Sequence, residues 1–279
     1  MNYQNIIEDK YTPQGLTIIE DNYFISAYKK HSPSRIYIYN KDKCLGKIIL
    51  DNKAHVGGIS YLKEHNIILV TGTKGTINAY NYLYLKKYFK KDYFTLDLAD
   101  LNKEQYKVPC TINITPYGSA ASVFYYDNYL YINTFNGYRK GKLFKIKIYY
   151  SKENNIISKI GKPTLIKIPP RIQGLSIIKY KHQEHLILSK SLSKTSSYLY
   201  IYKYLSTPKY LGKYKLPHPG AEGFIIDNDT LTIIYETYSN NSFSISLEKL
   251  FNNLTKSPDI KDKVSSFISG IAYEYSKKK

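Results

Sequence analysis

Residues 13–19 read PQGLTII and residues 172–178 read IQGLSII, so one chain writes the same small-then-apolar run twice, far apart. The repeat has three further copies: VGGISYL from 56, AASVFYY from 120 and AEGFIID from 221. Aligned on their small residue, at Gly15, Gly58, Ser122, Gly174 and Gly223, the five starts lie 43, 64, 52 and 49 positions apart. Each leads through a short turn into a second apolar run, YFISAY, IILVTG, LYINTF, LILSKS or LTIIYE, and then into a polar loop and a third run. The first and fourth units share even a fourth run, KCLGKIIL against KYLGKYKL.

Alternating segments such as SRIYIYN (34–40) and YLYIYKY (198–204) have the period of half-buried strands. Thirty-two tyrosines and no tryptophan suit pleated surfaces. Residues 96–106 and 246–254 alone look helical, and both are short. Four antiparallel strands recurring every 40–60 residues are the mark of a β-propeller, because one such sheet cannot cover both of its faces unless it stacks on neighbours around an axis. The expectation is an all-β, single-domain, five-bladed propeller over 1–279 with blade starts near 13, 56, 120, 172 and 221. Residues 83–113 form an insertion at the rim. The fifth unit lacks an evident outer strand, and residues 3–7 (YQNII) or 267–275 (FISGIAYEY) are the candidates to supply it. The resemblance of SGIAYEY to a sixth start keeps six blades as the alternative, and a two-domain β-sandwich is the structural runner-up.

Hydrophobic residues make up 43% of the chain, enough for a substantial core. No apolar run approaches the roughly 20 residues that span a bilayer, and the first ten residues lack the pattern of a signal peptide. A soluble protein, cytoplasmic by default, is expected, with secretion the alternative. Cys44 and Cys110 have neither disulfide nor metal spacing and read as unpaired small side chains. The net charge of +19 points to an anionic partner. Against nucleic acid stand the scattered lysines and the presence of three arginines alone, Arg35, Arg139 and Arg171.

In a propeller, the start of each inner strand and the end of each second strand meet at one end of the axis. The starts offer Gln14, His55, Ser119, Gln173 and Glu222. The second-strand ends and loops offer Ser26, Tyr28, Thr71, Thr73, Asn133, Asn136, Ser189, Ser191 and Glu236, with Arg35, Lys74, Arg139, Lys190 and Lys194 as cations. This reading takes the repeated glycine as a tight turn into the channel and its neighbour as a polar group aimed at the axis. The result is a polar funnel for a small polar or anionic ligand, a sugar or a phosphorylated metabolite. Glu222 and His55 are its candidate acid and base. Gln14, Ser26, Tyr28, Arg35, Gln173 and Glu236 are its candidate ligand contacts. A pair of carboxylates is also what glycoside hydrolysis requires. The competing explanation for the same residues is ordered water in a wet channel. HQEH (182–185) lacks a third ligand for a metal site, GTKGT (72–76) is a turn and not a phosphate loop, and no cofactor is implied.

In order, Pro13-Gln14-Gly15, Ser26-Ala27-Tyr28 with Pro33-Ser34-Arg35, His55-Val56-Gly57-Gly58-Ile59, Gln173-Gly174 and Glu222-Gly223 resemble the blade-start motifs of largely uncharacterised bacterial β-propeller proteins. The resemblance implies a propeller with a polar funnel and no known reaction. Three functions follow. The first is a propeller that binds, or hydrolyses, a small polar or anionic ligand. The second is a scaffold holding a protein partner at its rim, and the third is a basic surface for nucleic acid or membrane.

Overall fold

A computed structural model describes residues 10–41, 43–137, 140–192, 195–236 and 242–256. Blade 1 comprises β1 (Thr12–Ile19), β2 (Asn22–Tyr28), β3 (Arg35–Asn40) and β4 (Lys43–Ile49), paired in sequence order. Blade 2 begins with β5 (Ile59–Leu62), β6 (Ile67–Thr71) and β7 (Ile77–Asn81). The insertion follows as α1 (Tyr82–Lys86), β8 (Phe94–Asp97), α2 (Lys103–Tyr106) and β9 (Lys107–Val108). Blade 3 holds β10 (Ala120–Tyr126), β11 (Tyr129–Thr134), β12 (Gly141–Ser151) and β13 (Ile156–Ile168). Blade 4 holds β14 (Ile172–Tyr180), β15 (Gln183–Lys190), β16 (Tyr198–Lys203) and β17 (Lys209–Lys215). Blade 5 holds β18 (Ala221–Asp227), β19 (Thr230–Tyr235) and β20 (Ser242–Ser246), followed by α3 (Leu247–Asn252). The innermost strands β1, β5, β10, β14 and β18 each touch the next, and β18 returns to β1. The chain is a five-bladed propeller.

Its core is divided among the joints between blades. Ile68 and Val70 of β6 pack toward Phe24, Ile36 and Ile48 of blade 1, while Ile67 and Leu69 pack toward Val123, Leu130 and Ile132 of blade 3. A strand covered on both faces is the physical reason that residues 67–70 read IILV without a polar break. Further clusters join blades 3 and 4 through Leu143, Ile168, Leu175 and Leu188, and blades 4 and 5 through Ile187, Ile201, Phe224 and Ile233. Among the described residues, the joint from blade 5 to blade 1 is the thinnest: Leu16, Ile25 and a pair of tyrosines, Tyr37 and Tyr39, meet Ile234 and the partly buried Ile225.

Turns explain the punctuation of the repeat. Asp127-Asn128, Lys181-His182 and Asn228-Asp229 all have left-handed backbone and close two-residue hairpins, the geometry that matches strand twist. His182 is thus a turn residue, whereas His185 is buried against Phe251 of α3, with ring centroids 4.7 Å apart. Among the described residues no group of metal-binding side chains assembles.

The insertion does more than form an excursion at the rim. β8 adds to β4 in parallel as a fifth strand of blade 1, and β9 supplies the fourth strand of blade 2. The next residues reach blade 3, where the Thr111 amide donates to the Ile157 carbonyl (2.9 Å) and the Ile157 amide donates to Pro109 (2.9 Å). One stretch of backbone therefore fastens three consecutive blades. Blade 5 has three strands among the described residues, and Thr255 pairs back to Lys213 on the edge of blade 4. Both segments expected to complete blade 5, 3–7 and 267–275, lie outside the described residues.

Candidate functional site

The repeated small residue marks the place where neighbouring inner strands come into backbone contact. A Cβ at Gly223 would stand 2.8 Å from the Gln14 carbonyl oxygen, one at Gly174 would stand 2.9 Å from that of Glu222, and one at Gly15 would stand 2.8 Å from the Ile59 amide. Gly57 and Gly58 are tighter still, against Ala121, Ser122 and Val123. None of these five glycines has left-handed backbone. The turn into the axis is made just upstream, at Val56 (φ 49°), Arg171 (φ 66°) and Gly220 (φ 76°). The repeat therefore requires glycine for space, not for conformational freedom. A β-branched residue such as Val56 at positive φ carries strain.

Close approach narrows the axis. Among the described residues, the section lined by Gly15, Gly58, Ser122, Gly174 and Gly223 leaves a space of about 20 Å³. Roughly 10–15 Å³ is needed for one water, so this narrow section has room for water and is too small for a sugar or nucleotide.

The polar ring expected to line a funnel works as a set of staples. Ser26 lies opposite Gly15, accepts from its amide (3.0 Å) and donates to the Val56 carbonyl of the next blade (2.8 Å). Asn133 lies opposite Ser122, hydrogen-bonds its hydroxyl and donates to the Ile172 carbonyl of blade 4 (2.9 Å). Ser189, opposite Gly174, donates to the Glu222 carbonyl of blade 5 (2.8 Å). Thr71 accepts from the Gly58 amide (3.0 Å). All four side chains are buried, and their bonds satisfy backbone groups that strand pairing leaves over. Ser189→Ala is expected to lose about 1–3 kcal/mol by orphaning the Glu222 carbonyl, measured by urea unfolding; an unchanged midpoint would show that the staple contributes nothing.

A shift in strand register recurs between Pro13 and Gly15, Ala120 and Ser122, Ile172 and Gly174, and Ala221 and Phe224. Gln14, Ala121, Gln173 and Glu222 are thereby set out of the ladder at one end of the axis. The counterparts of Gln14 in blades 2 and 3 are Gly57 and Ala121, not His55 and Ser119, which lie further out and are exposed. Gln14 is buried, and its amide donates to its neighbour Pro13 (2.9 Å). Gln173 is half-buried. Tyr28 and His55 stack on each other across blades 1 and 2, with ring centroids 3.9 Å apart, and desolvation on that side holds the imidazole below the usual histidine range. The Arg35 guanidinium covers the Tyr11 ring at 4.1 Å and donates to the Tyr37 hydroxyl (3.2 Å). Lys190 is buried with its ammonium on the Tyr200 ring and hydroxyl. Arg139 and Lys194 lie outside the described residues.

Glu222 is 1% exposed, and its Oε1 has no hydrogen-bond partner. Burial, with Glu236 beside it, pushes this carboxyl well above the ordinary carboxylate range, and burial raises Glu236 as well. The group that Glu222 senses is therefore Glu236, in its own blade; His55 sits in blade 2, which is not adjacent to blade 5 in the ring. Cys110 is a neutral thiol, raised to about 11 by burial.

No family model and no curated protein matches this sequence. Solved structures that align with it include a chain of a mitotic checkpoint complex (TM-score 0.45, 8% identity, 86% of this chain and 79% of that one). The Myceliophteria thermophila Cps50 (Swd1) β-propeller domain aligns with a TM-score of 0.39 and 10% identity over 84% and 65% of the two chains. For the WD40 β-propeller domain of Doa1 the values are 0.37 and 8%, over 87% and 71%. No helix among the described residues is long and apolar enough to cross a membrane.

Proposed function

We propose that this propeller is a protein-interaction scaffold that works through its outer rim. The observation that carries the reading is the narrow axis: about 20 Å³ is left at its glycine-lined section, and Ser26, Asn133 and Ser189 are engaged in bonds to the next blade, which favours recognition on the outside. There, the insertion exposes Leu83 (52%), Tyr88 (38%) and Tyr93 (46%). Below them Phe89 and Phe94 are stacked at 4.7 Å, which fixes the segment on blade 1. Lys87, Lys90, Lys91 and Asp92 on the same segment are exposed, and the Lys47 ammonium lies 5.9 Å from the Tyr93 ring centroid. Tyrosines held rigidly amid cations are effective anchors for an acidic protein surface.

Removing the whole insertion would not test this, since Leu85, Phe94, Leu96 and Tyr106 belong to the core. The triple variant Leu83→Ser/Tyr88→Ala/Tyr93→Ala leaves those residues in place. In crosslinking and mass spectrometry from native cells, it is expected to lose most of the partner recovered by the parent protein while keeping its melting temperature. Unchanged recovery would sink the reading. So would a thermal shift with a small sugar or nucleotide that Glu222→Gln removes.

A further inference from the structure

Lysines far apart in the sequence are gathered by the fold where blades 2 and 3 meet. The loop after β6 and the turn before β10 are laced backbone to backbone: the Ala120 amide donates to the Lys74 carbonyl (2.8 Å) and the Ile114 amide to that of Gly75 (2.8 Å). Gly118 lies against Thr134 at the end of β11, where a Cβ would stand 3.3 Å from the Thr134 methyl. Tyr117 and Phe135, the chain neighbours of these two residues, therefore belong to one patch. Both rings are exposed, at 50% and 39%, and Tyr117 is seated on the buried Phe144 with centroids 5.0 Å apart. Thr134 pairs with Lys142 across the sheet, and Lys142 pairs with Lys167. Lys74, Lys140, Lys142 and Lys167 are all exposed.

No aspartate or glutamate occurs in residues 71–77, 109–120, 134–142 or 158–171, the four stretches that build this patch. Glu104 borders it across a cleft with Thr76 and Cys110, and Lys103 beside it offsets that charge. Like charges directly opposite on paired strands are destabilising. Lys142 and Lys167 are such a pair, and an anion between them relieves the repulsion.

We propose that this patch binds a single-stranded nucleic acid, with phosphates on Lys74, Lys140, Lys142 and Lys167 and bases stacked on Tyr117 and Phe135. The inference goes beyond the scaffold reading and concerns a different surface from Leu83, Tyr88 and Tyr93. Lysines supply point charges suited to a phosphate backbone of any sequence, and every base has a face for an aromatic ring. A duplex keeps those faces inside its own stack. A protein segment also fits less well. It would need an open row of backbone groups, whereas the loops here bond to each other. The neighbouring edge of β13 is broken by Pro163 and by Gly161 in left-handed backbone (φ 69°).

The probe is a fluorescein-labelled oligo(dT) strand of about 12 nucleotides, titrated by anisotropy into the full-length protein. Saturable binding is expected. Four phosphate contacts should give a slope of about −3 in log affinity against log salt, a loss of roughly fiftyfold between about 50 and 200 mM. Lys142→Gln/Lys167→Gln should weaken binding at low salt and reduce that slope by about half. Tyr117→Ala and Phe135→Ala should each weaken binding by about tenfold and leave the slope unchanged, a signature that charge alone does not produce. The Leu83→Ser/Tyr88→Ala/Tyr93→Ala variant should bind the strand like the parent, so this proposal and the scaffold reading fail separately. No saturable binding at about 50 mM salt, a flat salt titration, or indifference to both ring substitutions would overturn the proposal. Equal affinity for a blunt duplex of the same length would do so too, since phosphates alone would then be read. So would full competition by polyglutamate or by phosphatidylserine vesicles, which would mark the patch as a site for acidic protein or for membrane.

Discussion

Glu222→Gln is expected to stabilise the protein at neutral pH and to leave its stability nearly unchanged in acid. Burial and the neighbouring Glu236 raise the Glu222 pKa well above its ordinary value in the folded state, so the folded protein keeps this proton to higher pH than the unfolded chain, which ionises it near pH 4.5. Below that pH both states carry the proton, and nothing is lost. As pH rises toward the folded value, the unfolded state binds fewer protons than the folded one, so stability falls with pH and levels off above it. Each unit of separation is worth about 1.4 kcal/mol. For a chain of this length, about 1 kcal/mol moves the melting temperature by roughly 2–4 °C. Glutamine keeps the shape and cannot ionise. The difference in melting temperature between variant and parent should therefore grow between pH 4 and pH 8. Glu236→Gln should recover a smaller part of it, because it removes the neighbouring charge but not the burial. A constant difference across that range, or a variant less stable than the parent at pH 8, would contradict the burial of a protonated Glu222.

Gly57→Ala should be among the most damaging single methyl additions in the chain. The new Cβ would meet the Ala121 backbone, which cannot rotate aside as a side chain can. Overpacking of this kind costs about 1–3 kcal/mol and occasionally more. Here the backbones of two blades would have to separate and weaken the axis they share. Gly137 is the control: nothing lies within 4 Å of a Cβ there and its backbone is not left-handed, so Gly137→Ala should be near neutral. Urea denaturation of the two variants side by side decides the matter, and equal midpoints would mean that the axis has slack.

These variants probe what was hardest to read from sequence. Five spaced starts and matched second strands were enough to give the blade count, because stacking forces each inner strand to spell a small residue where it nears its neighbour. The positions around the axis are less legible. Counted from the small residue, the counterparts of Gln14 are Gly57 and Ala121, and His55 and Ser119 stand two residues before them, an offset that residue chemistry alone does not reveal. Hydroxyls at strand ends read equally well as a lining or as a bond to the next blade, and five inner strands in backbone contact leave room for the second. The fourth strand of blade 2 is a two-residue pairing, Lys107–Val108, too short to show an alternating pattern. The parallel addition of β8 to blade 1 links residues about fifty positions apart, which local periodicity does not record. Residues 98–100 and 103–106 do form short helical turns in the region expected to be helical, and α3 falls within 246–254, whereas α1 has no clear sequence mark.

A ring under load parts at its weakest joint. Here the first three blades share a continuous cord of backbone around their outside, and the fourth and fifth are tied where Thr255 meets Lys213. Among the described residues, the slimmest apolar joint lies between the last blade and the first. Tension across the described blades would therefore open the circle there first, leaving two tethered arcs rather than five loose leaves.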